Sequence, residues 1–135
     1  MQRVAMSVSI GLFLAILLNV LAPQSALAAS CGHNKSHNAF FGTRLPHQDQ
    51  LLYMEHARAG GRWLRVVTYP MSYPNPGDVR GIISYIEVLD QFTDGTGGCP
   101  FLKSGGIGKD HVSLALKSQR SSGLDFVVRI FGHPI

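Results

Sequence analysis

Charge of either sign never gathers in this chain. Lys, Arg, Asp and Glu together make up 15% of the residues, and no run of one sign develops. The densest basic group, Arg58, Arg62 and Arg65, has Glu55 beside it. A nucleic-acid-binding face shows a concentrated basic stripe, so direct nucleic-acid contact is not expected, and the formal net charge of +4 reads as a mixed, solvated surface. Cysteine is nearly absent too. The two present, Cys31 and Cys99, read as one disulfide if the compartment is oxidising. In the chain-entropy picture, closing so long a loop is worth about 4 kcal/mol. A free catalytic thiol is the sharper alternative. A lipoprotein cysteine at Cys31 is the third, although Leu27 stands one position too far upstream for it. Amphipathic-helix periodicity, internal repeats and low-complexity tracts are missing as well.

What is there begins with one long uncharged stretch. Arg3 precedes an apolar run over 4–22 built around Leu12-Phe13-Leu14-Ala15-Ile16-Leu17-Leu18; Pro23 and then Ala26-Leu27-Ala28 follow. A basic start, an apolar core and small residues at the exit form a secretory signal. The alternative is a retained anchor, since the run is nearly long enough to span a bilayer, but no basic stop-transfer cluster follows. The expected organisation is a signal peptide over 1–28, a polar N-terminal segment over 29–50 and a β domain over 51–135. Cleavage would remove Arg3 and lower the formal charge by one. No membrane contact is expected after removal, and the product would be extracellular. Asn34-Lys35-Ser36 is the one N-glycosylation sequon downstream, which makes Asn34 a candidate glycosylation site.

The rest of the chain alternates between short apolar runs and turn residues. The stretch 51–54 fits a strand or a helical turn. Residues 62–69 are rich in β-branched and aromatic side chains and end at Pro70, and 71–78 is proline-rich and reads as a loop. Residues 81–90 form the strongest strand candidate, with Ile82, Ser84, Ile86 and Val88 on one face and Ile83, Tyr85, Glu87 and Leu89 on the other. Residues 99–103 make a short strand. In 111–118, Val112, Leu114 and Leu116 point inward; in 124–131, Leu124, Phe126, Val128 and Ile130 do. Strands at intervals of about ten residues predict an all-β fold, a small antiparallel sandwich or barrel with one disulfide.

Several residue groups could carry chemistry. Gly105-Gly106-Ile107-Gly108-Lys109 invites a phosphate loop, but Lys103 stands where the first glycine belongs and Asp110 where Ser or Thr belongs. These glycines, with Gly97-Gly98, read instead as turn residues at positive φ. His33 and His37 have helical i, i+4 spacing near Cys31, yet no helix is expected and a third zinc ligand is lacking. Asp110-His111 with Ser113, Ser118, Ser121 and Ser122 supplies the ingredients of a hydrolase triad without a Gly-x-Ser-x-Gly elbow. His47 with Asp49, and His133, carry no signature. No catalytic residue, metal ligand or cofactor site is therefore assigned. Trp63, Tyr69, Tyr73 and Tyr85 read as core or sheet-edge packing, and 69–74 is the one loop expected to present aromatics to a partner.

The ordered segments Ile82-Ile83-Ser84-Tyr85-Ile86-Glu87-Val88-Leu89-Asp90-Gln91, Asp94-Gly95-Thr96-Gly97-Gly98, Ser104-Gly105-Gly106-Ile107-Gly108, Val112-Ser113-Leu114-Ala115-Leu116-Lys117-Ser118-Gln119-Arg120 and Gly123-Leu124-Asp125-Phe126-Val127-Val128-Arg129-Ile130-Phe131-Gly132 resemble the insect multiprotein bridging factor two family. Its members are also described as probable salivary secreted peptides. The resemblance implies two functions. One is a transcriptional coactivator that bridges a DNA-bound nuclear receptor complex to the general transcription machinery. The other is a small secreted protein, and the family brings no catalytic residues to carry over. With the signal and the cysteine pair, the expectation is a secreted, non-enzymatic binding protein of insect saliva, venom or haemolymph with an unidentified protein partner. A small secreted hydrolase or metal-binding protein is the further alternative.

Overall fold

A computed structural model describes residues 34–135. Cys31, His33 and the apolar run of 4–22 lie outside the described residues. Seven strands follow one another: β1 (Ala39–Gly42), β2 (Gln50–Ala59), β3 (Thr68–Tyr73), β4 (Gly81–Asp90), β5 (Cys99–Gly105), β6 (Val112–Lys117) and β7 (Leu124–Pro134). They form two sheets, ordered β1-β4-β7-β2 and β3-β6-β5, and every pairing is antiparallel. The described chain is all-β, and a sandwich is the form it takes. Met71, Tyr73, Val112, Leu114 and Leu116 of the smaller sheet share one core with Leu52, Ile83, Ile86, Val88, Phe126, Val128 and Ile130 of the larger. The alternation in β6 and β7 produces this directly, because period-two apolar residues fall on one face of a pleated strand. Ile86, Phe126 and Val128 are 0% exposed, and burying each contributes about 1.5–3 kcal/mol.

The strand at 81–90 has the expected ends and the wrong faces. Ile83 pairs with Gly132 and Tyr85 with Phe131, which leaves Ser84 as an extra residue. Such a bulge switches which side chains point inward. Ile83 therefore joins Ile86 and Val88 in the core while Ile82 is exposed. Leu52 is the matching extra residue in β2, again opposite Phe131. Both neighbours of β7 thus bend around one point. On the outer side of that point Phe131 lies under the guanidinium of Arg44, 4.0 Å from the ring centroid, and beside Tyr85 at 5.8 Å.

The structure adds to or departs from the sequence reading at three further places. The loop expected over 71–78 gives way at its start to β3, which runs from Thr68 through Pro70 to Tyr73. Proline is tolerated because β3 is an edge strand, where one side needs no N–H donor. The segment 29–50 contains β1, paired with β4 through Phe41 opposite Ile86. Only four residues long, β1 is too short for its alternation to stand out among polar neighbours. Gly97 and Gly98 do not adopt positive φ, whereas Gly95, Gly105, Gly106 and Gly108 do. At Gly97 the reason for glycine is space, since a Cβ there would strike the Asp90 carboxylate. Cys99 opens β5.

Candidate interaction surface

Leaving β2, the chain runs through Gly60 and Gly61, where a side chain on Gly61 would collide with the Ser121 carbonyl. It then turns sharply. Arg62 and Arg65 form an isolated antiparallel bridge, closed by the Arg65 N–H donating to the Arg62 carbonyl at 3.0 Å. Trp63 and Leu64 occupy the tip. Leu64 has φ 58°, a left-handed conformation that two-residue hairpins usually give to Gly or Asn and that costs leucine about 1–2 kcal/mol. Serine hydroxyls hold it there. The Leu64 N–H donates to Ser121 Oγ at 2.7 Å, and the Ser121 N–H donates to the Arg65 carbonyl at 2.9 Å. One step on, the Val67 N–H donates to Ser118 Oγ at 2.7 Å while the Ser118 N–H donates to the Val67 carbonyl at 2.8 Å. Two serines flagged for a triad thus anchor a turn.

The turn pushes apolar surface outward. Trp63 is 82% exposed, Leu64 52% and Val66 50%. A shallow depression of about 280 Å3 beside it is lined by Arg62, Arg65, Val66, Val67 and Thr68. Arg120 lies next to Ser121 in the chain. Among the described residues neither Arg62 nor Arg65 has a carboxylate partner, whereas Arg58 sits 3.4 Å from Asp125. This site departs from the sequence expectation that Trp63 packs in the core or at a sheet edge. The signal available was Gly60-Gly61 ahead of two arginines that flank a Trp-Leu pair. Loop 69–74, expected to present aromatics, does the reverse: Tyr73 is buried, with its hydroxyl donating to the Val79 carbonyl at 2.5 Å.

The titratable groups are absorbed by the fold. His37 is buried, and its Nδ1–H reaches the carbonyls of Gly97 at 3.2 Å and Gly98 at 2.9 Å. Asp90 accepts the N–H groups of His37 and Phe92, each at 3.0 Å. Asp49 pairs not with the exposed His47 but with His133, 3.5 Å away, and accepts the Leu45 N–H at 2.6 Å. Burial pushes the Asp49 carboxyl upward. The Leu45 N–H, the Ser84 hydroxyl and the charges of His133 and Arg44 outweigh that and hold it below the usual range. Asp110 contacts His111 at 3.0 Å, but Ser113 turns to Ser72 at 3.3 Å. Tyr53 donates to Glu55. Burial first and that carboxylate second raise its hydroxyl well above 10. Among the described residues no three His, Cys, Asp or Glu side chains gather as a metal site. Asn34 is exposed at the start of the described residues.

Fold and surface together define a class: a small antiparallel β sandwich whose unusual feature is a convex apolar and basic tip. The chain belongs to the family described as transcription activator MBF2, whose model matches residues 41–132. It is also similar to a protein of Bombus ignitus named "Probable salivary secreted peptide". The two are 34% identical over 126 residues, covering 88% of this chain and 92% of that one. No solved structure matches the chain.

Proposed function

We propose that this is a secreted, non-enzymatic interaction protein of insect saliva, venom or haemolymph, closed by a Cys31–Cys99 disulfide and acting by binding a protein partner. The observation that carries the reading is its similarity, along nearly the whole of both chains, to a peptide named as secreted. The basic start and apolar run of the first 28 residues support the same compartment. The use of Ser118, Ser121, His37 and Asp90 as hydrogen-bonded supports favours binding over catalysis. A second reading, transcriptional coactivation by bridging, is favoured by the description of the family whose model the chain matches.

Intact mass measured on native protein, from the animal's fluids and from cell extract after alkylation without reduction, separates the two. The secreted reading expects a fluid species lacking residues up to about Ala28, with neither cysteine alkylated. Added mass at Asn34 would mark passage through the glycosylation pathway. Full-length protein confined to cells, with both thiols alkylated, would overturn it in favour of coactivation.

A further inference from the structure

The chemistry of the Trp63 turn is layered along one direction. Trp63 and Leu64 lie outermost at the tip, and Arg62 and Arg65 stand one residue behind them, bridged across the base. Beside those arginines lies the depression of about 280 Å3, walled by Val66, Val67 and Thr68. Asp125, the carboxylate at the adjoining ends of β2 and β7, is engaged by His56 at 2.5 Å and Arg58 at 3.4 Å. Among the described residues, the two arginines at the base therefore have no carboxylate to compensate their charge.

An apolar tip backed by a cationic base matches the layering of a bilayer surface, with its acyl boundary beneath a phosphate plane. Tryptophan favours that boundary because its ring is amphipathic. Basic residues near the surface are drawn to anionic lipid. A protein partner would have to supply a pocket for a projecting indole and acidic groups around its rim. A bilayer supplies both layers without a built pocket.

We infer that residues 62–66 form a peripheral membrane-contact site for bilayers containing anionic phospholipid, with Trp63 and Leu64 entering the headgroup region and Arg62 and Arg65 seating lipid phosphates. The inference goes beyond the proposed function: it needs no protein partner, because vesicles contain none, and it rests only on that reading's release of the chain from the cell. The inference runs against the sequence expectation of no membrane contact after signal removal, and the vesicle titration decides between the two.

Trp63 is the chain's one tryptophan, so tryptophan emission, excited at the red edge where tyrosine does not absorb, reports on this site alone. The protein in the form that the producing cells release is titrated with vesicles of phosphatidylcholine and with vesicles of phosphatidylcholine containing phosphatidylserine. The expected result is a blue-shifted emission and shielding from acrylamide with the anionic vesicles only, weakening as salt is raised. Arg62→Gln combined with Arg65→Gln should reduce binding by about thirtyfold, and Lys103→Gln with Lys109→Gln should leave it unchanged. Trp63→Ala, followed by co-sedimentation, should lose binding while keeping the far-ultraviolet dichroism of the parent. Three results would overturn the inference: no spectral shift, equal binding to neutral vesicles, or a shift that depends on protein concentration without vesicles. The last would assign the tip to self-association.

Discussion

The Trp63 turn and the Asp90 corner handle their side chains in opposite ways. At the turn, a tryptophan and a leucine are held out in water by backbone hydrogen bonds to serine. At the corner, a carboxylate and an imidazole are drawn inside and tied to backbone N–H and carbonyl groups. Both arrangements work against the ordinary partition of side chains. The corner meets its desolvation cost with several charge-assisted bonds and joins β1, β4 and the 92–98 connection into one unit. The turn has no such return inside the molecule. Its tip leaves Trp63 82% exposed and Leu64 and Val66 about half exposed, which is what a surface kept for contact should look like.

This contrast can be broken most sharply at Asp90. Replacing it with Ala strands the buried N–H of His37 and the part-buried N–H of Phe92, and an unsatisfied buried donor costs about 1–3 kcal/mol. Asp90→Ala should therefore lower stability by about 3 kcal/mol or more in urea unfolding; a loss below the error of the method would mean that the corner is solvated. The tyrosines give the next effect. Hydroxyls of Tyr53 and Tyr73, raised chiefly by burial, join Tyr69, raised chiefly by its bond to Glu55, and Tyr85, raised by burial and then Glu87. A group whose folded pKa exceeds its unfolded value contributes stability that is complete below the unfolded value, near 10, and lost as pH rises through the folded one. The urea midpoint should fall steadily above about pH 10, and phenolate absorbance should lag behind that of free tyrosine. Normal titration of all four would remove the effect.

At the turn, changes should be small and can be favourable. Leu64→Asn relieves the left-handed penalty and should stabilise the fold by up to about 1 kcal/mol in the same assay. A loss of stability instead would show that the leucine packs within the molecule. Trp63→Ala, a change at an exposed site, should shift stability by no more than about 0.5 kcal/mol, a value that thermal unfolding resolves.

How much of this could be read from residues alone varied by element. β6 and β7 were legible because Val112, Leu114 and Leu116, and Leu124, Phe126, Val128 and Ile130, alternate without interruption. The ends of β4 were legible for a different reason, a β-branched and apolar run bounded by Gly81 and Asp90. Its faces were not, because a bulge inserts one residue without changing composition, and only pairing with Gly132 and Phe131 reveals it. β3 was misplaced because Pro70 counts against a strand unless the strand lies at an edge, which is a matter of neighbours. The serines at 118 and 121 were noticed for their nucleophilic atoms. Their partners Val67 and Leu64 lie more than fifty residues away, a separation that no local pattern encodes.

Local order of side chains settled the all-β class, the inward set of β6 and β7 and the absence of a basic stripe, since those follow from period-two alternation and composition. Tertiary structure decided which residue of 81–90 faces the core, why glycine stands at 97, and that Trp63 points into water. Each of these depends on a group that local sequence does not place, whether a backbone partner in β7, the Asp90 carboxylate or the Ser121 hydroxyl, and those positions exist only once the strands have paired and the chain has closed on its core.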